Sequence, residues 1–252
     1  MHLISKAAKS LRHLSFVLEN PSLVEAKLIG GIPTLYRKLD TPWFYNLGVK
    51  TVIDIGANTG QFALTINKLL PDALIYSFEP IPKCFDSLKE NMRKVSQFAG
   101  FNIGLGDSEG ELEFEANEFS PSSSFLPMTD LHKSTYPFAK DKKLVTIKVD
   151  TLDHVSQNIN ISFPLLVKLD VQGYESKVMI GGEKVIRNAS LVIVEVAFER
   201  LYQDQPLFDD IYQVLRSWGF SYMGAIEQVY HPDNKNILYA DVIFIKKQED
   251  RV

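Results

Sequence analysis

Leu3, Ile4, Ala7, Ala8, Leu11, Leu14 and Leu18 recur at helical spacing with Lys6, Lys9 and Arg12 between them, which predicts an amphipathic helix. Pro21 interrupts that pattern, and a second short helix is expected over 22–29. Gly30, Gly31 and Pro33 then mark a turn. From Thr51 onward, strand-sized apolar runs alternate with helical periodicity. A strand is expected over 51–55, a helix over 61–70, a strand over 73–78 and a helix over 82–94. A strand over 101–105 follows, with further extended segments over 111–115 and 145–149. Between these lies a stretch rich in serine, proline and threonine, 117–143, and a loop that long in a compact domain is usually either functional or mobile. The alternation resumes with a strand over 165–170, a helix over 174–180, a strand over 191–196 and a helix over 209–218 stopped by Gly219. Two last extended segments, 220–224 and 242–245, are expected to pair antiparallel at the sheet edge.

Strands alternating with helices imply right-handed crossovers and a parallel sheet covered on both faces. The expected fold is therefore α/β: a doubly wound, Rossmann-like, mostly parallel seven-stranded sheet with an antiparallel C-terminal hairpin. One domain over 46–252, preceded by a helical extension over 1–45, accounts for 252 residues. The extension reads as a brace on that domain, with membrane-surface docking or oligomerisation as alternatives.

Composition narrows the partners. A net charge of −4 without a long basic run supplies no field to collect polyanions, so nucleic acid is not expected. Cys84 is the only cysteine, which rules out an internal disulfide or a cysteine metal cluster and fits a reducing cytoplasm. No apolar run approaches the roughly 20 residues of a membrane helix, and no secretory signal pattern is present. The five histidines fall at no metal-ligand spacing, and His132 alone lies in a candidate lid.

In doubly wound sheets ligands bind at the carboxyl ends of the strands, so the first strand-to-helix turn is the place to look. Here it reads Asp54-Ile55-Gly56-Ala57-Asn58-Thr59-Gly60. Its glycines let the backbone turn sharply and approach a ligand. A pyrophosphate-binding turn prefers Gly-x-Gly-x-x-Gly, and Asn58 replaces the middle glycine, which disfavours a nicotinamide or flavin. Glu79, before Pro80 at the end of the second strand, stands at roughly the 20-residue interval of an acid that grips a ribose.

These segments, together with 102–107 and the run Lys168-Leu169-Asp170-Val171-Gln172-Gly173-Tyr174-Glu175, resemble the motifs of the FkbM family of methyltransferases over roughly 49–245. Family members often carry glutamate where Gln172 stands. The resemblance implies S-adenosylmethionine as donor and methyl transfer to a hydroxyl of a sugar, glycan or natural product. By the same resemblance the turn from Gly56 to Gly60, with Ala57 and Asn58, holds the methionyl end, Glu79 the ribose, and the segment 102–107, with Asn102, Gly104 and Asp107, the adenine; Asp54, Pro80 and Asp170 are further cofactor-binding candidates. Asp107 reads equally as a cap on the turn at 108–110.

Methyl transfer needs an alcohol oriented behind the methyl, water excluded and the alcohol proton removed. Asp170, Glu175 and Glu195 are the candidate catalytic carboxylates. Glu195 is singled out because an acid inside the apolar run 191–197 is costly to bury unless paired or working. One of the three acts as general base, or Asp170 and Glu195 hold Mg²⁺. The alternative for Glu195 is a salt bridge with Lys168 or Arg200. Ser122, Ser123 and Ser124 are candidates for lining the site, and Tyr136, Phe138, Phe198, Tyr202 and Tyr230 for stacking on a sugar. A catalytically inactive methyltransferase-like binding protein and a nicotinamide-dependent oxidoreductase are the competing readings.

Overall fold

The computed structural model describes residues 21–117, 126–135 and 142–246. The expected helix over 3–18, the serines at 122–124, Tyr136 and Phe138 lie outside these residues. Three short helices come first, α1 (Pro21–Leu28), α2 (Pro33–Leu39) and α3 (Pro42–Asn46). Proline at an early position of α2 and α3 suits helix starts, where its missing N–H leaves no bond unmade. Leu23, Ala26, Leu35, Leu39 and Phe44 from these helices bury in one cluster with Val52 and Leu166 of the central sheet and Ile66 of the helix packed on it.

The central sheet holds seven strands in the order β3-β2-β1-β7-β8-β10-β9. These are β1 (Thr51–Ile55), β2 (Leu74–Phe78), β3 (Phe98–Phe101), β7 (Leu165–Leu169), β8 (Leu191–Ala197), β9 (Phe220–Tyr230) and β10 (Ile237–Lys246). The first five in the order run parallel, while β10 inserts antiparallel between β8 and β9. The expected edge hairpin therefore has one edge strand, β9, and one interior strand, β10. Helices α4 (Gln61–Leu69) and α5 (Pro82–Met92) cross over early in the chain. Later come α8 (Glu175–Gly181), α9 (Glu183–Arg187) and α10 (Phe208–Ser217). Strands β1 and β7 are buried along their whole length, as middle strands covered on both faces must be.

The expected strand over 101–105 is corrected to two strands in two sheets. Phe98–Phe101 joins β2, whereas β4 (Gly104–Leu105) pairs with β6 (Lys142–Asp150) in a separate three-stranded sheet completed by β5 (Gly110–Asn117). The break falls at Asn102, whose side-chain amide donates to the carbonyls of Glu79 (2.8 Å) and Pro80 (3.0 Å). The chain is tied to the end of β2 there and turns away. Within the long loop, α6 (Asp130–Thr135) is anchored by Met128 bridging to Tyr202 and by Thr129 N–H donating to Leu201 O at 2.9 Å. A further short helix, α7 (Leu152–Val155), precedes β7.

Candidate active site

The turn after β1 is shaped by backbone conformations that few side chains tolerate. Gly56 has φ +78° and Gly60 φ +94°. A Cβ at Gly56 would lie 1.9 Å from the carbonyl oxygen of Asp170, so only glycine lets β1 and β7 close up at this end. Gly56 N–H and Ala57 N–H both donate to Phe78 O at 3.0 Å, which ties the turn to the end of β2. Glu79 follows there, almost wholly buried. Its Oε2 accepts from Asn58 N–H and its Oε1 from Ile81 N–H, each at 2.8 Å. Burial pushes its carboxyl up to about 7, against the pull of those two backbone donors. Each oxygen keeps a lone pair for a further donor, so the carboxylate can accept from two vicinal hydroxyls. A bare cradle beside an anchored acid is the arrangement a nucleoside with a short polar tail requires, and the residues fit S-adenosylmethionine.

Asp54 on β1 faces Lys168 on β7 in register, and both are buried. Lys168 Nζ donates to Gly56 O at 2.9 Å and lies 3.3 Å from Asp170 Oδ2 and 3.4 Å from Asp54 Oδ1. The Asp54 contact is an ion pair without hydrogen-bond geometry. Asp54 Oδ2 accepts from Ser77 Oγ at 3.2 Å, and burial raises the Asp54 carboxyl against the opposing pull of Lys168. Burial also works against the ammonium, but Asp170, Asp54 and Asp241 outweigh it and hold Lys168 charged. Asp54 therefore braces the turn from beneath.

Asp170 is brought to the cradle at the end of β7, and Glu195 stands on the neighbouring strand β8. Gln172, in left-handed backbone at φ +54°, donates its Nε2 hydrogens to Asp170 Oδ1 at 2.9 Å and to Glu195 Oε1 at 3.0 Å. Tyr202, at 1% exposure, donates its hydroxyl to Gln172 Oε1 at 3.1 Å and lies 3.3 Å from His132 Nε2. The amide thus occupies the space between the two acids proposed as metal ligands and uses both as acceptors. Among the described residues no group of three histidine, cysteine or acidic side chains is placed to hold a metal ion. This donor set does not fit Mg²⁺.

Glu175 stands apart from the other carboxylates. It is buried, and its Oε1 accepts from Val171 N–H at 3.0 Å and Gly173 N–H at 3.2 Å, which shapes the turn ahead of α8; burial raises its carboxyl to about 7. Asp107 accepts from Lys177 Nζ at 2.7 Å. Gly104 is buried in β4. Phe198 stacks on Phe208 and Tyr230 donates to Gln228, so among the described candidates for stacking Tyr202 is the one bonded to Gln172.

A cavity of about 260 Å³ opens beside the glycine turn. Gly56, Ala57, Asn58, Lys168 and Asp170 line it, with Gln61 and Phe62 from α4. Its far wall is made by Ile32, Thr34 and Leu35 around α2, and by Ile226, Glu227 and Asp241 of the C-terminal strands. Sequence reasoning missed Asp241, Glu227 and the contribution of residues 32–35. Asp241 was open to the argument that found Glu195, since it too interrupts an apolar strand. Gln172 was noticed as a departure from a motif, but nothing in the sequence showed that it joins Asp170 to Glu195.

A doubly wound sheet in this strand order, with a glycine cradle and an acid at the end of the second strand, defines a methyltransferase of the S-adenosylmethionine-dependent class. The chain belongs to the FkbM methyltransferase family, matching the methyltransferase FkbM domain over residues 54–222. It is 26% identical to the 2-O-methyltransferase NoeI of Sinorhizobium fredii over 66% of this chain and 71% of that protein. Similarity to the hexuronic acid methyltransferase AglP of Haloferax volcanii is 28% identity over 57% of this chain and 54% of the relative. With the methyltransferase sdnD of Sordaria araneosa it is 26% over 71% and 83%.

Proposed function

We propose that this chain transfers the methyl group of S-adenosylmethionine to a hydroxyl of a sugar, glycan or other natural product. The observation that carries the reading is the cavity in which the glycine cradle and Asp170 meet acids from the neighbouring strands. Two relatives whose names specify O-methylation or a sugar acid, NoeI and AglP, support the acceptor class. The donor supplies an electrophilic methyl carbon, so the protein has only to bind, orient and deprotonate. Glu79 and the Gly56–Gly60 turn fix the donor. Asp170, held by Lys168 on one oxygen and Gln172 on the other, keeps a set orientation at the reacting end. Glu195, clamped by the same amide, shapes the acceptor side. Gln172 donates to both Asp170 and Glu195, the pair expected to hold Mg²⁺.

The methyltransferase unit is proposed to span 46–252 with 1–45 as a helical extension, working in the cytoplasm on a small-molecule or glycan acceptor, with self-association open. Among the described residues no helix is long and apolar enough to cross a membrane. The reading is tested by incubating the protein with methyl-tritiated S-adenosylmethionine and a panel of methyl glycosides and polyhydroxylated natural products. Label recovered as an O-methyl ether, and absent with Glu79→Ala, supports it. Donor binding without transfer to any hydroxyl favours the inactive binding protein instead.

A further inference from the structure

We propose that Asp241 takes the proton from the acceptor hydroxyl as the methyl group is transferred, an assignment that rests on the hydroxyl-transfer reading above. A proton acceptor must reach the cavity, and its proton affinity is highest where no donor already stabilises the carboxylate. Asp170 reaches the cavity but is committed, with Lys168 at 3.3 Å from one oxygen and Gln172 Nε2 at 2.9 Å from the other. Glu175 is committed to two backbone amides and does not line the cavity. Glu195 is tied to Gln172 and is likewise absent from the lining. Glu227 lines it, but its Oε2 accepts from Thr34 Oγ1 at 2.9 Å. Asp241 lines the cavity and is largely enclosed, and its carboxyl takes part in no hydrogen bond or ion pair with the described residues.

Its neighbours explain why an uncommitted carboxyl is kept there. Asp241 sits on β10 directly opposite Glu195 of β8 and Glu227 of β9, on the strand interior to the edge. The charges of Lys168 on β7 and of Asp170 just beyond it act on Asp241 across β8. Burial, followed by the charge of Asp170, raises its carboxyl to about 7, with Glu227 adding to the rise and Lys168 opposing it. An acid of that strength accepts a proton and returns it to water near neutral pH. In the step itself, a lone pair of the acceptor oxygen forms the new bond to the methyl carbon. The carbon–sulfur bond breaks with its electron pair passing to sulfur, which becomes a neutral thioether. The oxygen's proton passes to Asp241, so charge and atoms balance without a further reactant.

The test uses the full chain and two readouts. Calorimetry with S-adenosylhomocysteine comes first, and Asp241→Asn should bind it within about threefold of wild type, because the variant keeps shape and volume. With a glycoside that the wild type methylates, Asp241→Asn should lower kcat by about 10²–10⁴ and abolish the acid limb of the pH profile. Asp170→Asn should keep that limb. Carbon-13 NMR of labelled aspartate in the product complex provides the acceptor-independent readout. The resonance missing from Asp241→Asn should titrate near neutrality in the wild type. Full turnover in Asp241→Asn, or an acid limb that survives in it and vanishes in Asp170→Asn, overturns the assignment. So does an Asp241 resonance that titrates in the ordinary carboxylate range, which decides the matter even where the variant binds no product. Failure of the wild type to methylate any hydroxyl overturns the hydroxyl-transfer reading itself, and the Asp241 resonance distinguishes that outcome from a misplaced proton acceptor.

Discussion

The two ends of the site are built by different means. On the donor side, backbone does the positioning: Phe78 O receives two N–H groups of the glycine turn, and Glu79 is fixed by the N–H groups of Asn58 and Ile81. On the acceptor side, side chains hold one another, through Lys168, Asp170, Gln172, Glu195 and Tyr202. A backbone cradle is set by the fold and changes little with single substitutions away from its glycines. A side-chain lattice can be rebuilt one residue at a time, which suits a surface that must meet different acceptors on one scaffold.

Lys168 joins the two halves, so its removal is the harshest way to break the contrast. Lys168→Met leaves Asp54 and Asp170 without their shared cation, and loss of one partner from a buried ion cluster costs about 3–5 kcal/mol. Urea denaturation should show that loss, and product affinity should fall with it. Glu79→Ala attacks the donor half alone. It removes the acceptor for two backbone N–H groups and for the ribose, and calorimetry should show binding of S-adenosylhomocysteine weakened at least about tenfold, from hydrogen bonds of roughly 1.5–3 kcal/mol each.

How far the sequence led depends on which half is considered. The placement of the glycine turn and of Glu79 was legible because both are local: a turn between one strand and one helix, and an acid at the next strand's end. Glycine spacing and interval were enough to place both. The acceptor half depends on which strands lie side by side. That Asp241 stands opposite Glu195 follows from β10 inserting between β8 and β9, a register no local pattern encodes. The separate β4-β6-β5 sheet was hidden for the same reason, since two residues of β4 carry no periodicity.

A smaller effect concerns Glu175, whose carboxyl is raised from its ordinary value to about 7 by burial. The folded protein then holds a proton that the unfolded chain releases above about pH 4.5. This contribution to stability is complete below that pH and is lost as pH rises through about 7. The unfolding free energy of the wild type should fall between about pH 5 and pH 8, and Glu175→Gln should remove about 1–3 kcal/mol of that fall. The smallest effect is expected from deleting residues 1–20, which contain none of the donor motifs. Product affinity should stay within about twofold of the full chain, and a larger loss would move the donor site's boundary into the extension.

The Gly-x-x-x-Gly turn beside Glu79 is expected to hold S-adenosylmethionine and not a dinucleotide. Parallel calorimetric titrations of the full chain with S-adenosylhomocysteine and with NAD test it most directly. One equivalent of S-adenosylhomocysteine should bind and NAD should produce no saturable heat. Saturable binding of NAD with none of S-adenosylhomocysteine would contradict the account.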